Sequence, residues 1–183
     1  MPAHYPLRQG IIKTFSIATG SMQVTKENLF TTVPRRIIIG LVSAAAYNGD
    51  SKQNPLDFKN CKLNYLSLYV DGERVPSRPL TPDFQNNNYA RSYDLLMQSS
   101  GHWDDESAFD IKPFEFAHGY TLFGIPLTSG DVDSIAVEPH RIANIPLEMK
   151  FKSPLATSMV AIVYGDFENA LEIDHNRMIT FEF

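Results

Sequence analysis

The stretches Leu147-Glu-Met-Lys-Phe-Lys152 and Val160-Ala-Ile-Val-Tyr-Gly-Asp-Phe-Glu-Asn-Ala-Leu-Glu-Ile-Asp174 decide the fold of this chain. Both are rich in apolar, β-branched and aromatic residues, which favour β-strands, and Pro154 marks a turn between them. The second stretch ends in acidic residues, and neither contains a catalytic motif. The last quarter of the chain is therefore predicted to form two β-strands joined by a turn, with an acidic, ordered tail.

Strand patterns extend through the rest of the chain. Residues 35–42 are almost continuously apolar, which predicts a central strand buried on both faces. Asp71-Gly72 follows a strand predicted at 63–70 and is typical of a tight turn. Nearby prolines limit the returning edge strand to residues 73–76. The other predicted strands cover residues 11–18, 22–25, 116–127, 134–137, 142–151, 158–167 and 178–183.

Only one segment, residues 88–98, has a helical pattern. Asn88 is a candidate N-terminal cap for it, because a side-chain amide oxygen can accept a bond from the first helical N–H groups. Segments 43–61 and 99–115 are rich in small, polar and turn-forming residues and are predicted to be long loops. The residues that recur at the spacing of one helix face are Tyr89, Tyr93, Leu96 and Met97.

This pattern predicts an all-β protein. Eight or nine strands with one short helix are typical of a β-sandwich or barrel. The long, uneven connections favour a jelly roll over a simple meander. No repeat or low-complexity linker divides the 183 residues. We therefore expect one domain over residues 1–183, a single jelly-roll β-sandwich of about eight strands with the helix in a long loop.

Composition restricts the function classes. The net charge of -5 and the lack of like-charge blocks argue against a protein that coats nucleic acid or binds an anionic membrane. Cys61 is the single cysteine, so no internal disulfide can form. The N-terminus lacks the apolar core of a signal peptide, and no apolar run approaches the length of a membrane helix. We expect a protein that is not secreted and has no cofactor.

Cys61 and the segment His102-Trp-Asp-Asp-Glu106 are the first candidates for chemistry. Cys61 has no motif of a nucleophile around it, so a small buried or half-buried side chain at the start of a strand is the preferred interpretation. The acidic segment contains ligands for a hard cation, but consecutive loop residues rarely converge on one ion, which favours a solvated loop. Trp103 is the candidate interface residue, either anchoring a partner or folding back over the end of the sandwich.

Carboxylates near the C-terminus form a second candidate site. Glu168, Glu172 and Asp174 lie close to Arg177 in the sequence, and two of these carboxylates could form a glycosidase-like pair. An ion-paired turn that fixes the last strand is the preferred interpretation. The histidines at 118, 140 and 175 show no metal-ligand spacing, and His118 is expected to be packed. Four strand tyrosines are expected to be core or cross-strand partners; they are Tyr65, Tyr69, Tyr120 and Tyr164.

The chain resembles the C-terminal jelly roll of the major capsid (hexon-like) proteins of Polinton/Maverick elements and adintoviruses, which also occur as genomic copies in invertebrates. The resemblance runs through almost the whole chain, and the order of its pieces is more specific than any one piece. The pieces are Arg8-Gln-Gly10, Pro34-Arg-Arg-Ile-Ile-Ile-Gly-Leu-Val42, Asn48-Gly, Asn54-Pro-Leu-Asp-Phe58, Leu68-Tyr-Val-Asp-Gly72, Pro79-Leu-Thr-Pro-Asp-Phe84, Gly119-Tyr-Thr-Leu-Phe123, Ile162-Val-Tyr-Gly-Asp-Phe-Glu-Asn169 and Leu171-Glu-Ile-Asp-His-Asn-Arg177.

The resemblance implies a structural, non-enzymatic capsid protein that assembles with itself, as a trimer, and with other capsid subunits. It implies a location in the virion or at an intracellular assembly site, with no direct contact with nucleic acid or membrane. Family members resemble double jelly rolls, whereas this chain has room for one. The structural signature carried over from the family is Tyr164, Phe167, Glu168, Asn169, Glu172, Ile173, Asp174 and Arg177.

Three alternatives remain open at the level of sequence. A carbohydrate-binding jelly roll predicts a row of exposed aromatic side chains on one sheet face. A domesticated, virus-derived interaction domain would keep the fold and not the shell. A cupin-like oxygenase needs two or three histidines and a glutamate converging inside the barrel, and the five histidines of this chain do not show that spacing.

Overall fold

The structure, a computed structural model, describes residues 3–100, 111–127, 142–173 and 178–182. Within these residues, nine strands form two antiparallel sheets, and three short helices connect them. The strands are β1 (Ala3–Ile17), β2 (Gln23–Lys26), β3 (Arg36–Ser43), β4 (Leu63–Val70), β5 (Glu73–Leu80), β6 (Leu122–Pro126), β7 (Leu147–Phe151), β8 (Met159–Ile173) and β9 (Ile179–Glu182). The helices are α1 (Ala44–Tyr47), α2 (Ala90–Ser100) and α3 (Pro113–Ala117).

The strand pairing identifies the sandwich as a jelly roll. One sheet has the order β1-β8-β3-β6, and the other has the order β2-β7-β4-β5. β1 pairs with β8, β2 with β7, β3 with β6 and β4 with β5, as if one long antiparallel hairpin were wrapped around a barrel. This wrapping produces the eight-stranded jelly roll. The predicted single jelly-roll β-sandwich is confirmed.

The core lies between the two sheets and follows the two-residue period of the strands. Ile37, Ile39 and Leu41 in β3 are fully buried, and Leu66 and Leu68 in β4 meet them from the other sheet. Burying each such side chain contributes roughly 1.5–3 kcal/mol. A slip of one residue would turn the whole set to solvent, so this alternation fixes the register.

Helix α2 packs on β6, an edge strand of the first sheet. Leu96 is fully buried, and a Cβ added to Gly124 would lie 2.9 Å from the Leu96 Cα, so glycine permits the close approach. Arg91 donates hydrogen bonds to the carbonyls of Arg78 (2.9 Å) and Pro79 (3.0 Å) in β5, the edge strand of the second sheet. The predicted helix is therefore confirmed, and it links the edges of the two sheets.

The predicted cap of this helix is wrong. Asn88 exchanges two backbone hydrogen bonds with Asp83, at 2.8 and 2.9 Å. The Tyr89 carbonyl accepts the first bonds of the helix, from the N–H groups of Ser92 and Tyr93. Because α2 begins at Ala90, the cap position belongs to Tyr89, and Asn88 closes the preceding turn instead.

The strand predicted at residues 116–127 is wrong over its first part. Pro113 opens α3, where its missing N–H costs nothing, and the Glu115 carboxylate accepts the Lys112 N–H at 3.0 Å. The aromatic residues from Phe116 onward imitate a strand pattern, but Phe116 is buried inside the helical turn, while Phe114 on its other side is exposed. The strand itself is the shorter β6.

Strand β5 runs farther than the predicted 73–76. Its pairing with β4 passes from Val75 opposite Leu68 to Leu80 opposite Leu66, so the intervening residues form an irregularity. Pro76 and Pro79 lie in that irregularity, where no ladder hydrogen bond is needed. Prolines therefore interrupt the pairing without ending the strand.

Other boundaries differ from the predictions by shorter lengths. α1 occupies the start of the predicted loop 43–61, and α2 enters the predicted loop 99–115. The strand predicted at 142–151 begins only at Leu147, and the one predicted at 158–167 continues to Ile173. The strand predicted at 134–137 lies outside the described residues.

Candidate functional site: the β8 signature and the ribbon beyond it

The first part of β8 is a central strand of its sheet. It lies between β1 and β3, and its signature residues contact both. Tyr164 covers Gly10 of β1 so closely that an added Cβ would lie 2.7 Å from the Tyr164 ring. On the core side, the Phe167 and Phe30 rings meet edge-to-face with centroids 5.3 Å apart. These two signature aromatics therefore hold the sheet together.

Two ion pairs tie β8 to the start of β3. Asp166 is buried, and its carboxylate accepts a bond from Arg36 Nε at 2.8 Å. Arg36 Nη1 also donates to the Ser99 carbonyl at 2.6 Å, which anchors the C-terminal end of α2. Next to this pair, Arg35 Nη1 binds Glu168 at 3.0 Å. Glu168 thus contacts the segment before β3, and the arrangement joins a helix and two strands.

Beyond residue 167, β8 leaves the sandwich and becomes the centre of a small ribbon. β1 pairs with one side of it back to Ala3, and β9 pairs with the other side from Ala170 to Ile173. Asn169 Nδ2 donates to Gln9 Oε1 at 2.6 Å, a polar link at the boundary between core and ribbon. We call the segment formed by residues 3–8, 169–173 and 179–182 the terminal ribbon.

The terminal ribbon is amphipathic. Directly opposed residues of neighbouring strands share a face, and Tyr5 lies opposite Leu171 while Ile173 lies opposite Ile179. These residues lie on the same face of the sheet as Phe167 and Val163, whose side chains point into the core. Tyr5 is 52% exposed, Leu7 42% and Ile179 57%; Leu171 and Ile173 are half-buried. The apolar face of the ribbon therefore continues the core side of the sheet past the end of the sandwich.

The structure places part of the predicted site and leaves part outside the described residues. Glu172 and Ile173 lie on opposite faces of the terminal ribbon. Trp103, Asp174 and Arg177 lie outside the described residues, as does the acidic segment 102–106. The sequence reasoning missed the exposed apolar residues of β1. Their signal was the alternation of Tyr5 and Leu7 with Pro6 and Arg8, which continues the pattern of the predicted strand 11–18.

Cys61 lies half-buried in the turn before β4, as predicted. Burial raises the pKa of its thiol from 9.0 to about 11, and the charge of Lys59 offsets this only in part. The thiol lines a cavity of about 490 Å³ at the end of the sandwich opposite the ribbon, together with Lys62, His118 and Pro154. A thiol with so high a pKa is a poor nucleophile at neutral pH.

The outer face of the second sheet carries two of the predicted tyrosines. Lys150 Nζ lies 4.7 Å from the ring centroid of Tyr65, and the Arg74 guanidinium lies 5.6 Å from that of Tyr69. Interaction with the Tyr65 hydroxyl lowers the pKa of Tyr69, and the pKa of Tyr65 is raised. Glu148 bonds both Lys150 (3.0 Å) and the Tyr69 hydroxyl (3.4 Å). Because cations cover both rings, this face is not an open platform for sugars.

The remaining aromatic and histidine candidates have structural contacts. Tyr120 is 51% exposed and lies in an isolated bridge with Phe58, so its predicted strand position is wrong. The expectation that His118 is packed is wrong: it is exposed after α3, stacks on Phe114 with centroids 4.2 Å apart, and bonds the Phe114 carbonyl through Nδ1 at 2.8 Å. In the described part of the chain, no three His, Cys, Asp or Glu side chains converge as metal ligands, and no helix is long and apolar enough to cross a membrane.

Comparison with known sequences finds a relative that this chain covers in part. No protein-family model matches the chain. An uncharacterized Caenorhabditis elegans protein, F54H12.2, is 30% identical over 178 residues, which is 94% of this chain and 42% of that protein. The chain therefore spans less than half of this relative.

Solved structures of viral capsid proteins share the fold. The PBCV-1 capsid protein VP54 matches 100% of this chain and 52% of its own length, with a TM-score of 0.56 and 14% identity. The mavirus major capsid protein matches 100% of this chain and 42% of its own length, with a TM-score of 0.52 and 11% identity. A chain of the Sputnik virophage matches 98% of this chain and 38% of its own length, with a TM-score of 0.51 and 14% identity. The chain thus has the jelly-roll fold found in these capsid proteins.

Proposed function

We propose that the chain is a structural protein of the viral capsid type, which associates with itself and with other capsid subunits through its surfaces. The observation that carries the proposal is the match of the whole jelly roll, from β1 to β8, to capsid proteins of three viruses. The sandwich supports the same role, because a shell needs stiff sheets, and ion pairs such as Arg36–Asp166 connect neighbouring strands of this one.

The share of each relative that is matched supports a second part of the proposal. The chain accounts for 38–52% of the three capsid chains and 42% of the nematode protein. We infer that it corresponds to one jelly roll of a double jelly-roll protein, the C-terminal one by its resemblance to Polinton/Maverick and adintovirus capsid proteins. Its place of action is then a virion or an intracellular assembly site, and its role is non-enzymatic.

The oligomer proposed from this resemblance is a trimer, or a larger closed ring because only one jelly roll is present. Closed rings arise from heterologous contacts whose rotation closes. The test is the solution mass of the purified chain by light scattering over a concentration series, with electron microscopy of the largest species. We expect a discrete mass at a multiple of 20.6 kDa and ring-shaped particles. A monomer at every concentration would contradict self-assembly by this chain.

A further inference from the structure

The terminal ribbon has an apolar face that the described part of the chain leaves largely open. Tyr5, Leu7 and Ile179 are each at least 42% exposed on this face, and Leu171 and Ile173 complete it. In the described residues, β1 and β9 pair with β8 in the ribbon, and no strand of the second sheet pairs with it.

The opposite face of the ribbon is mostly polar, apart from Pro6 opposite Ala170, so the ribbon largely keeps the two-residue period of a half-buried strand. Arg8 lies opposite Glu168, and Glu172 lies opposite Thr180 on this second face. A strand keeps such a period where one of its faces is covered and the other is wet. The alternation in the ribbon therefore points to a cover for the apolar face.

The chemistry of the apolar face restricts what covers it. In the described residues it presents Tyr, Leu and Ile side chains next to the uncharged Gln9 and Asn169, and no charged side chain. A strongly charged partner would lose hydration there without gaining an ion pair. A second copy of the same face buries no charge, so the surface is compatible with itself.

The size of the face fits a contact between copies in an assembly. From strand geometry it measures roughly 17 by 14 Å, or about 240 Å², well below the ~800 Å² per partner of a standard stable interface. Alone it would give only a weak, concentration-dependent contact. Contacts of this size become effective when each copy makes several of them in one closed assembly.

We propose that the apolar face of the terminal ribbon is a contact surface between copies of this chain, with Tyr5, Leu7 and Ile179 of one copy packing against the same face of another. The proposal rests on the proposed capsid-type function and names the surface that self-association uses. In a trimer or larger ring, the same face of every copy lies at the symmetry axis, and further surfaces of each copy complete the assembly.

The test compares two variants with the wild-type chain by light scattering and sedimentation over a concentration series. The variant L7S/I179S makes the apolar face polar. The control is Ile12→Ser, which removes another exposed apolar side chain of β1. Ile12 is 64% exposed, lies in the sandwich part of β1, and is on the opposite face of the strand from Leu7. We expect L7S/I179S to shift the midpoint of association at least tenfold towards higher concentration, whereas I12S leaves it unchanged.

The outcomes separate this inference from the proposed function. If the wild-type chain associates and L7S/I179S associates equally well, the ribbon is not the contact, although the proposed function stands. If the wild-type chain is a monomer throughout, both proposals fail. If L7S/I179S lowers the melting temperature equally at all concentrations and leaves association unchanged, the chain covers this face itself, and the inference is overturned. Circular dichroism of each variant establishes that it is folded.

Discussion

At the scale of single residues, Cys61 shows how burial determines reactivity. Cys61 and Lys62 have positive φ values of 49° and 51°, and the Leu63 N–H bonds the Asn60 carbonyl at 2.9 Å, which defines a tight turn. The turn places the thiol in the cavity wall, where burial raises its pKa to about 11. The sequence predicted a half-buried cysteine, but the raised pKa depends on packing that no local motif reveals.

The raised pKa of Cys61 predicts slow alkylation. At pH 8 the thiolate fraction should be about a hundredfold lower than for a thiol of pKa 9.0, and the thiolate is the nucleophile. The rate of reaction with iodoacetamide, followed by mass spectrometry, should therefore rise with a midpoint near pH 11 in the folded chain and near pH 9 in guanidinium. The unfolded chain ionises first, so stability should fall as pH rises from 9 to 11, and Cys61→Ser should make this fall smaller. A folded-state midpoint near 9 would contradict the buried position.

At the scale of secondary-structure elements, the joint of β3, β8 and α2 depends on Arg36. The Asp166 side chain is 4% exposed and that of Arg36 23%, so removing the cation leaves a buried carboxylate without its charge partner. We expect Arg36→Met to lower the free energy of unfolding by about 3 kcal/mol. The double variant R36M/D166N should lose less than R36M alone, because it no longer buries the charge. Urea unfolding of the three proteins checks this order, and a double variant less stable than R36M would contradict it.

Elements with a strong two-residue period could be predicted from sequence, and elements set by capping or bulges could not. The pattern of residues 63–70 predicted β4 with its observed ends, because Leu66 and Leu68, two residues apart, are buried in one core. By contrast, the aromatic pattern that begins at Phe116 predicts a strand, while Pro113 and Glu115 stabilise a helical turn there. β5 runs through its prolines because its pairing with β4 is interrupted where they lie.

At the scale of the whole molecule, the sandwich and the terminal ribbon are distinct parts. The jelly roll could be predicted, since eight alternating segments with uneven loops have few other closed arrangements. The exposure of the ribbon could not, because β3 pairs with β8 only as far as Asp166, a limit that the alternation of residues does not reveal. Tyr5 and Leu7 have the same pattern as buried strand residues, and only the three-dimensional structure shows them open to solvent.

This division predicts that the sandwich folds without β9. The strand pairs only with Ala170–Ile173 in the terminal ribbon, and none of its described side chains belongs to the core. A chain ending at Ile173 should therefore keep its circular dichroism spectrum and one cooperative transition, with a melting temperature lower by only a few degrees, or about 1 kcal/mol. It should also lose the ribbon contact that Ile179 contributes, so its association midpoint should shift in the direction of L7S/I179S. The matched control is the full-length variant Thr180→Ser, which keeps β9 and should behave as wild type. Loss of the cooperative transition in the truncated chain would mean that β9 is part of the folding unit, and the sandwich and ribbon would then have to be treated as one structure.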